Sequence, residues 1–160
     1  MPSTPPPSFY RTINYTMLIT KQIEIDMGHR VPNHKSKCRN PHGHRYKIEV
    51  GVDDKLITES GSSDEGMVID FGDLKEIMME KIDAVYDHSY TLWNLDEHNA
   101  LWKAWKDQGF KVNLTQLVPT AENLARIWYE AVEGPLRVRG IKIAHVTVWE
   151  TPTSTATYKV

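Results

Sequence analysis

Between residues 44 and 52 the side chains alternate, with Tyr46, Ile48 and Val50 set against Lys47, Glu49 and Gly51. A period of two predicts a β-strand with one buried face, and a slip of one residue would expose the whole apolar set. Carried backwards, the same period places His42 and His44 on the face of Tyr46, Ile48 and Val50. Two sheltered imidazoles on one face are a start toward a zinc site, and Gly43 between them leaves room for close approach on the other face. A third imidazole is available from His29, which ends a second alternating run, Ile23-Glu24-Ile25-Asp26-Met27-Gly28-His29. His-x-His alone is weak, because seven histidines in 160 residues yield ~0.3 such pairs by chance. With His29 on a neighbouring strand, metal becomes the favoured reading over plain polar residues at strand ends. Three histidines without a fourth protein ligand imply an open, catalytic position.

Three further places carry side chains that a plain core would not ask for. Cys38 lies four residues before His42, among Lys37, Arg39 and the imidazoles, a setting that favours the thiolate. It is then a base, a nucleophile or a fourth, closing zinc ligand; an isolated cysteine is otherwise a small buried apolar residue. Asp87-His88 falls just past a predicted helix. An Asp that orients a His fixes a proton-transfer imidazole, although adjacent residues do not easily face each other. Glu150 closes an apolar strand before Thr151-Pro152. If buried, its carboxylate needs two N–H donors, which the amidine-like edge of a heterocycle supplies. His34, His98 and His145 lack such company and read as ordinary.

The remaining elements follow in order. The first strand covers about residues 17–28, and residues 67–69 form a short extended piece. Asp70 caps a helix through about Val85, with Leu74, Ile77, Met78, Ile82 and Val85 at helical spacing. Asp96 caps a shorter helix that carries Leu101, Trp102 and Trp105 on one side and ends at Gly109. Thr120 caps the clearest helix, with Leu124, Ile127, Trp128 and Ala131 as its stripe, and Gly134-Pro135 is predicted to stop it. Two strands close the chain, at about 141–150 and 153–160. The order β-β-α-α-β-β predicts an α+β domain, an antiparallel sheet with helices on one face. Residues 1–16 read as an extension, Pro-rich and partly disordered, since residues 1–8 hold four of the nine prolines. A net charge of -2 gives no reason to expect a nucleic-acid partner, and no apolar run is long enough for a membrane span. The single cysteine fits a reducing compartment, and without a signal-peptide pattern the expected location is the cytoplasm.

Taken together, Gly28-His29-Arg30, Cys38-x3-His42-Gly43-His44, Gly66-Met67-Val68-Ile69-Asp70-Phe71, Asp87-His88, Pro119-Thr120-Ala121-Glu122-Asn123-Leu124-Ala125 and Glu150-Thr151 resemble one family. It is the 6-pyruvoyl-tetrahydropterin synthase / 6-carboxytetrahydropterin synthase family, and the match runs in order over about residues 17–160. The resemblance implies the tunnelling (T-) fold, a four-stranded antiparallel sheet with two helices outside it. It also implies a homohexamer, a dimer of trimers closed into barrels, with active sites at subunit interfaces. By motif, His29, His42 and His44 are the implied Zn2+ ligands, Cys38 the general base, and Asp87 with His88 the proton-relay partners. Glu150 is implied as the anchor of the pterin edge, with Thr120 lining the same pocket from another subunit. The three-residue interval after Cys38 matches the 6-carboxytetrahydropterin synthase branch. The implied reaction turns 7,8-dihydroneopterin triphosphate into 6-carboxy-5,6,7,8-tetrahydropterin, acetaldehyde and triphosphate, on the way to 7-deazaguanines such as queuosine. A 6-pyruvoyl-forming or side-chain-cleaving pterin lyase is the alternative, and a non-catalytic zinc- or pterin-binding oligomer the third reading. Departures from the compact pattern are the extension, an insertion at about 93–117, and Ala121 where some relatives carry a second hydroxyl residue. Lys35, Lys37, Arg39 and Arg45 are triphosphate candidates by charge and proximity to Cys38 alone.

Overall fold

Two 13-residue strands form the spine of the computed structural model, which describes residues 15–160. Apart from Tyr15 and Thr16, the expected N-terminal extension lies outside the described residues. Strand β1 (Met17–His29) runs antiparallel to β2 (His42–Asp54), with Met17 opposite Asp54 and His29 opposite His42. Strand β5 (Ile143–Thr151) pairs antiparallel with β2, and β6 (Ser154–Tyr158) with β5. These four strands are the expected antiparallel unit.

The sheet nevertheless has six strands and is mixed. Strand β3 (Ser89–Trp93) pairs parallel with β1 at Met27, Gly28 and His29, and β4 (Val112–Thr115) pairs parallel with β3. The spatial order is β4-β3-β1-β2-β5-β6. A four-stranded, wholly antiparallel sheet is therefore incorrect for this chain. Strands of five and four residues are too short to display a period, and β4 lies inside the stretch read as an insertion.

Helix α1 (Phe71–Met78) starts where Asp70 accepts the Gly72 N–H at 2.6 Å. It continues through a π-helical turn (Met79–Asp83) into α2 (Ala84–Tyr86). Helix α3 (Asn99–Asp107) follows β3, and α4 (Ala121–Val138) is capped by Thr120, which accepts the Asn123 N–H at 3.4 Å. The predicted stop at Gly134-Pro135 is not used. A proline inside a helix removes one donor, but Leu136 beyond it is fully buried and holds the last turn in the core. The true end is at Gly140, whose φ of +74° lets Ile141 N–H reach back to Leu136 O and its own N–H to Arg137 O.

Leu74, Ile77, Met78 and Ile82 join Leu124, Trp128 and Val132 over Ile25, Met27, Tyr46, Ile48 and Val50 in one buried cluster. Thus α1 and α4 cover the face that carries the histidines. Helix α3 covers the opposite face, because Trp105 packs on Tyr90, and Tyr90 pairs with Gly28, which points away from His29. Helices on one face only is thus a second correction. Among the described residues no helix is long and apolar enough to cross a membrane. Trp128, fully buried, stacks edge-on against Tyr46 at 5.9 Å and Tyr86 at 5.6 Å, so it ties α4 to the site-bearing strand. Trp128→Ala is expected to cost about 3–5 kcal/mol of stability, measured by urea unfolding.

Candidate active site

Strand register alone brings three imidazoles together. His29 and His42 are direct partners across β1 and β2, and His44 faces Met27 two positions on. Their ring centroids lie 4.5, 5.3 and 5.1 Å apart, and ligand atoms from all three fall within 4.8 Å of one another. His29 Nδ1 donates to Pro119 O at 2.6 Å, and His42 Nδ1 donates to Asn40 O at 2.8 Å. A carbonyl only accepts, so both rings are held in the tautomer whose Nε2 carries a lone pair toward the cluster. Among the described residues, His29 Nε2 and His44 Nε2 are buried with no hydrogen-bond partner. Buried polar atoms left unpaired are rare, and here they share one focus, which fits a cation. Burial is the main cause holding the His29 and His44 pKa values below the usual imidazole range, so both rings stay neutral as metal ligands require.

Beside the cluster, Glu150 Oε1 lies 3.6 Å from His29 Nε2 and 4.0 Å from His44 Nε2. Tyr46 OH reaches the same oxygen at 3.5 Å, a long hydrogen bond that leaves most of the carboxylate's acceptor capacity for a ligand. Burial, reinforced by that carboxylate, pushes the Tyr46 hydroxyl above the usual phenol range, so Tyr46 stays a neutral donor. His29, Cys38, Thr120 and Glu150 line one cavity of about 260 Å³. Thr120 does so from this same chain. Cys38 sits on a 3-10 turn (Lys37–Arg39) held to the strand end by Val31 N–H donating to Cys38 O at 2.9 Å. Among the described residues, the cluster whose ligand atoms could hold a metal ion comprises the three histidines and does not include Cys38.

Asp87 and His88 do not line this cavity. Contrary to the expectation for neighbours, they face each other: His88 has a φ of +52°, and its Nδ1 lies 2.6 Å from Asp87 Oδ2. The pair is pinned to β1, since Asp26 N–H donates to Asp87 Oδ1 at 2.9 Å and His88 N–H to Asp26 O at 2.8 Å. The Asp26 N–H bond is the first cause lowering the Asp87 pKa, so the Asp87 carboxylate stays ionised at neutral pH. Arg45 is committed elsewhere. It forms two hydrogen bonds to Asp26, at 3.0 and 2.7 Å, on the face opposite His44. His34, read as ordinary, is part of the cavity wall. Sequence reasoning also missed Tyr46, signalled only by its place two residues after His44, and the Pro119 and Asn40 carbonyls, which carry no side-chain signal at all.

Comparison with known proteins agrees with this geometry. Residues 18–160 match the family described as 6-pyruvoyl tetrahydropterin synthase. A relative from Rickettsia felis, 6-carboxy-5,6,7,8-tetrahydropterin synthase, is 35% identical over 138 residues, covering 83% of this chain and 93% of that protein. The structure of Caenorhabditis elegans 6-pyruvoyl tetrahydropterin synthase superposes with a TM-score of 0.64 at 25% identity, over 91% of this chain and 96% of that one. An uncharacterized protein from Wolinella succinogenes shares the fold, with a TM-score of 0.75 at 23% identity, over 90% of this chain and 98% of that one.

Proposed function

This chain belongs to the 6-pyruvoyl tetrahydropterin synthase family, and we propose that it is the lyase converting 7,8-dihydroneopterin triphosphate and water to 6-carboxy-5,6,7,8-tetrahydropterin, acetaldehyde and triphosphate. The observation that carries the reading is the meeting of three Nε2 atoms with Glu150 at the edge of the cavity that Cys38 lines. His29, His42 and His44 would hold Zn2+, which when bound supplies Lewis acidity to the side-chain hydroxyls of the substrate. Glu150 accepts two N–H bonds from the pterin's amino-pyrimidinone edge and orients the ring. Thr120, on the cap of α4, borders the same pocket. Cys38 takes a side-chain proton as general base. The Asp87–His88 pair of a second copy completes the proton path, because its own chain keeps it away from the cavity. Edges left open among the described residues support such an assembly as a homohexamer: β1 pairs with β3 at Met27, Gly28 and His29, and β4 and β6 are the terminal strands.

The direct test is anaerobic incubation of the zinc-loaded protein with 7,8-dihydroneopterin triphosphate, followed by mass spectrometry. The expected products are the 6-carboxy pterin and acetaldehyde. A pyruvoyl or hydroxymethyl pterin would place the chain in another branch, and absence of any product with metal bound would overturn the reading.

A further inference from the structure

None of residues 94–117 lines the cavity, yet the segment from β3 to the start of α4 holds His29 from several sides. Pro119 O takes its Nδ1–H at 2.6 Å. Tyr90 OH donates to the His29 backbone carbonyl at 2.8 Å. The Tyr90 ring fills the space left by Gly28, where a Cβ would stand 2.4 Å from Cδ2, and Trp105 of α3 backs it at 5.0 Å. Next in the chain, Arg30 Nε lies 3.5 Å from Asp96 Oδ2, with Asp96 2% and Arg30 9% exposed. Neither of those two atoms has a hydrogen-bond partner among the described residues. The other Asp96 oxygen accepts His98 N–H at 2.9 Å, at the start of α3. His42 and His44 have no such harness; both ride on β2, and His42 is held by the nearby Asn40.

We propose that this segment is a positioning clamp for the metal ligand His29, acting through Tyr90 on its backbone and through Asp96 on Arg30. The proposal rests on the reading of the three histidines as a metal site. A buried ion pair gains little stability over apolar groups of the same volume, so its worth here is geometric. It fixes the end of β1 where a ligand must be placed to within about 0.5 Å. Tyr90 and Asp96 are positioning residues; neither touches the cavity.

Tyr90→Phe and Asp96→Asn in the full chain test this. Zinc affinity is measured by competition with a chromophoric chelator, and ligand geometry by the visible spectrum of the cobalt-substituted protein. Circular dichroism and thermal unfolding monitor the fold. Each variant is expected to bind zinc about 10–100-fold more weakly and to shift the cobalt bands. Lys106→Ala, on the exposed side of α3, is expected to change neither. A purely structural role would lower the unfolding temperature and leave the folded protein's metal affinity and spectrum as they were; that result overturns the clamp. Should Asp96→Asn fail to fold, Tyr90→Phe still decides, since it deletes one hydroxyl and keeps the packed ring. Metal uptake with no effect of Tyr90→Phe overturns the clamp alone, whereas an unaltered chain that takes up neither zinc nor cobalt overturns the metal reading with it.

Discussion

His42→Ala is expected to abolish stable metal uptake and turnover together while the chain stays folded. His42 is only half-buried, and its side chain bonds a local carbonyl, so its removal opens no core cavity. Losing one of three ligands should weaken zinc binding by more than about 100-fold, because loss of an outer-shell partner already costs up to that much. Metal analysis after dialysis against a chelator, beside circular dichroism, reads the outcome. Full metal content with unchanged turnover would remove the three-histidine site from consideration. Acid offers a second view of the same geometry. Burial lowers the folded pKa values of His29 and His44, so protons displace the metal only below the usual imidazole range of about 6.5. For the metal-free protein the sign is the same. The unfolded chain binds these protons more readily, so the histidines' contribution is complete above about pH 6.5 and is lost as pH falls through the lowered folded values.

Cys38→Ala is expected to keep the metal and lose the reaction. The backbone bond that fixes the turn, from Val31 N–H to Cys38 O, survives the change, and the thiol stands outside the cluster of ligand atoms. A general base contributes about 10²–10⁴-fold, so kcat should fall by that factor with KM little altered. Loss of zinc instead would make Cys38 a fourth ligand and the site structural. Unchanged turnover would transfer the proton chemistry to another group in the cavity wall, and His34 is the residue that the structure places there.

Much of the site was legible before folding because it depends on local periodicity. A strand of period two puts His42, His44 and Tyr46 on one face whatever surrounds it, and His29 ends an equally regular run. Capping chemistry was legible for the same reason: Asp70 and Thr120 stand before their helices and accept the N–H groups that a first turn leaves unpaired. Asp96 shows the limit. It was read as a cap, and it does accept His98 N–H, but it lies two residues upstream of that N-cap position and its second oxygen faces a buried Arg30. Nothing within a few residues of Asp96 announces an arginine 66 positions earlier in the numbering, since 96 − 30 = 66.

The sequence by itself therefore determined strands β1, β2, β5 and β6, the starts of α1 and α4 and the shared face of the histidines. Each follows from side-chain type at a fixed spacing along one element. Only the tertiary structure decided what lies across elements: parallel β3 and β4 on the edge of β1, α3 on the far face, and Thr120 in the cavity of its own chain. It also decided which nitrogen of His29 faces the other two imidazoles, because Pro119 comes within 2.6 Å of Nδ1 only when the chain folds back. Such contacts depend on long-range register and on backbone carbonyls, and every residue carries the same carbonyl.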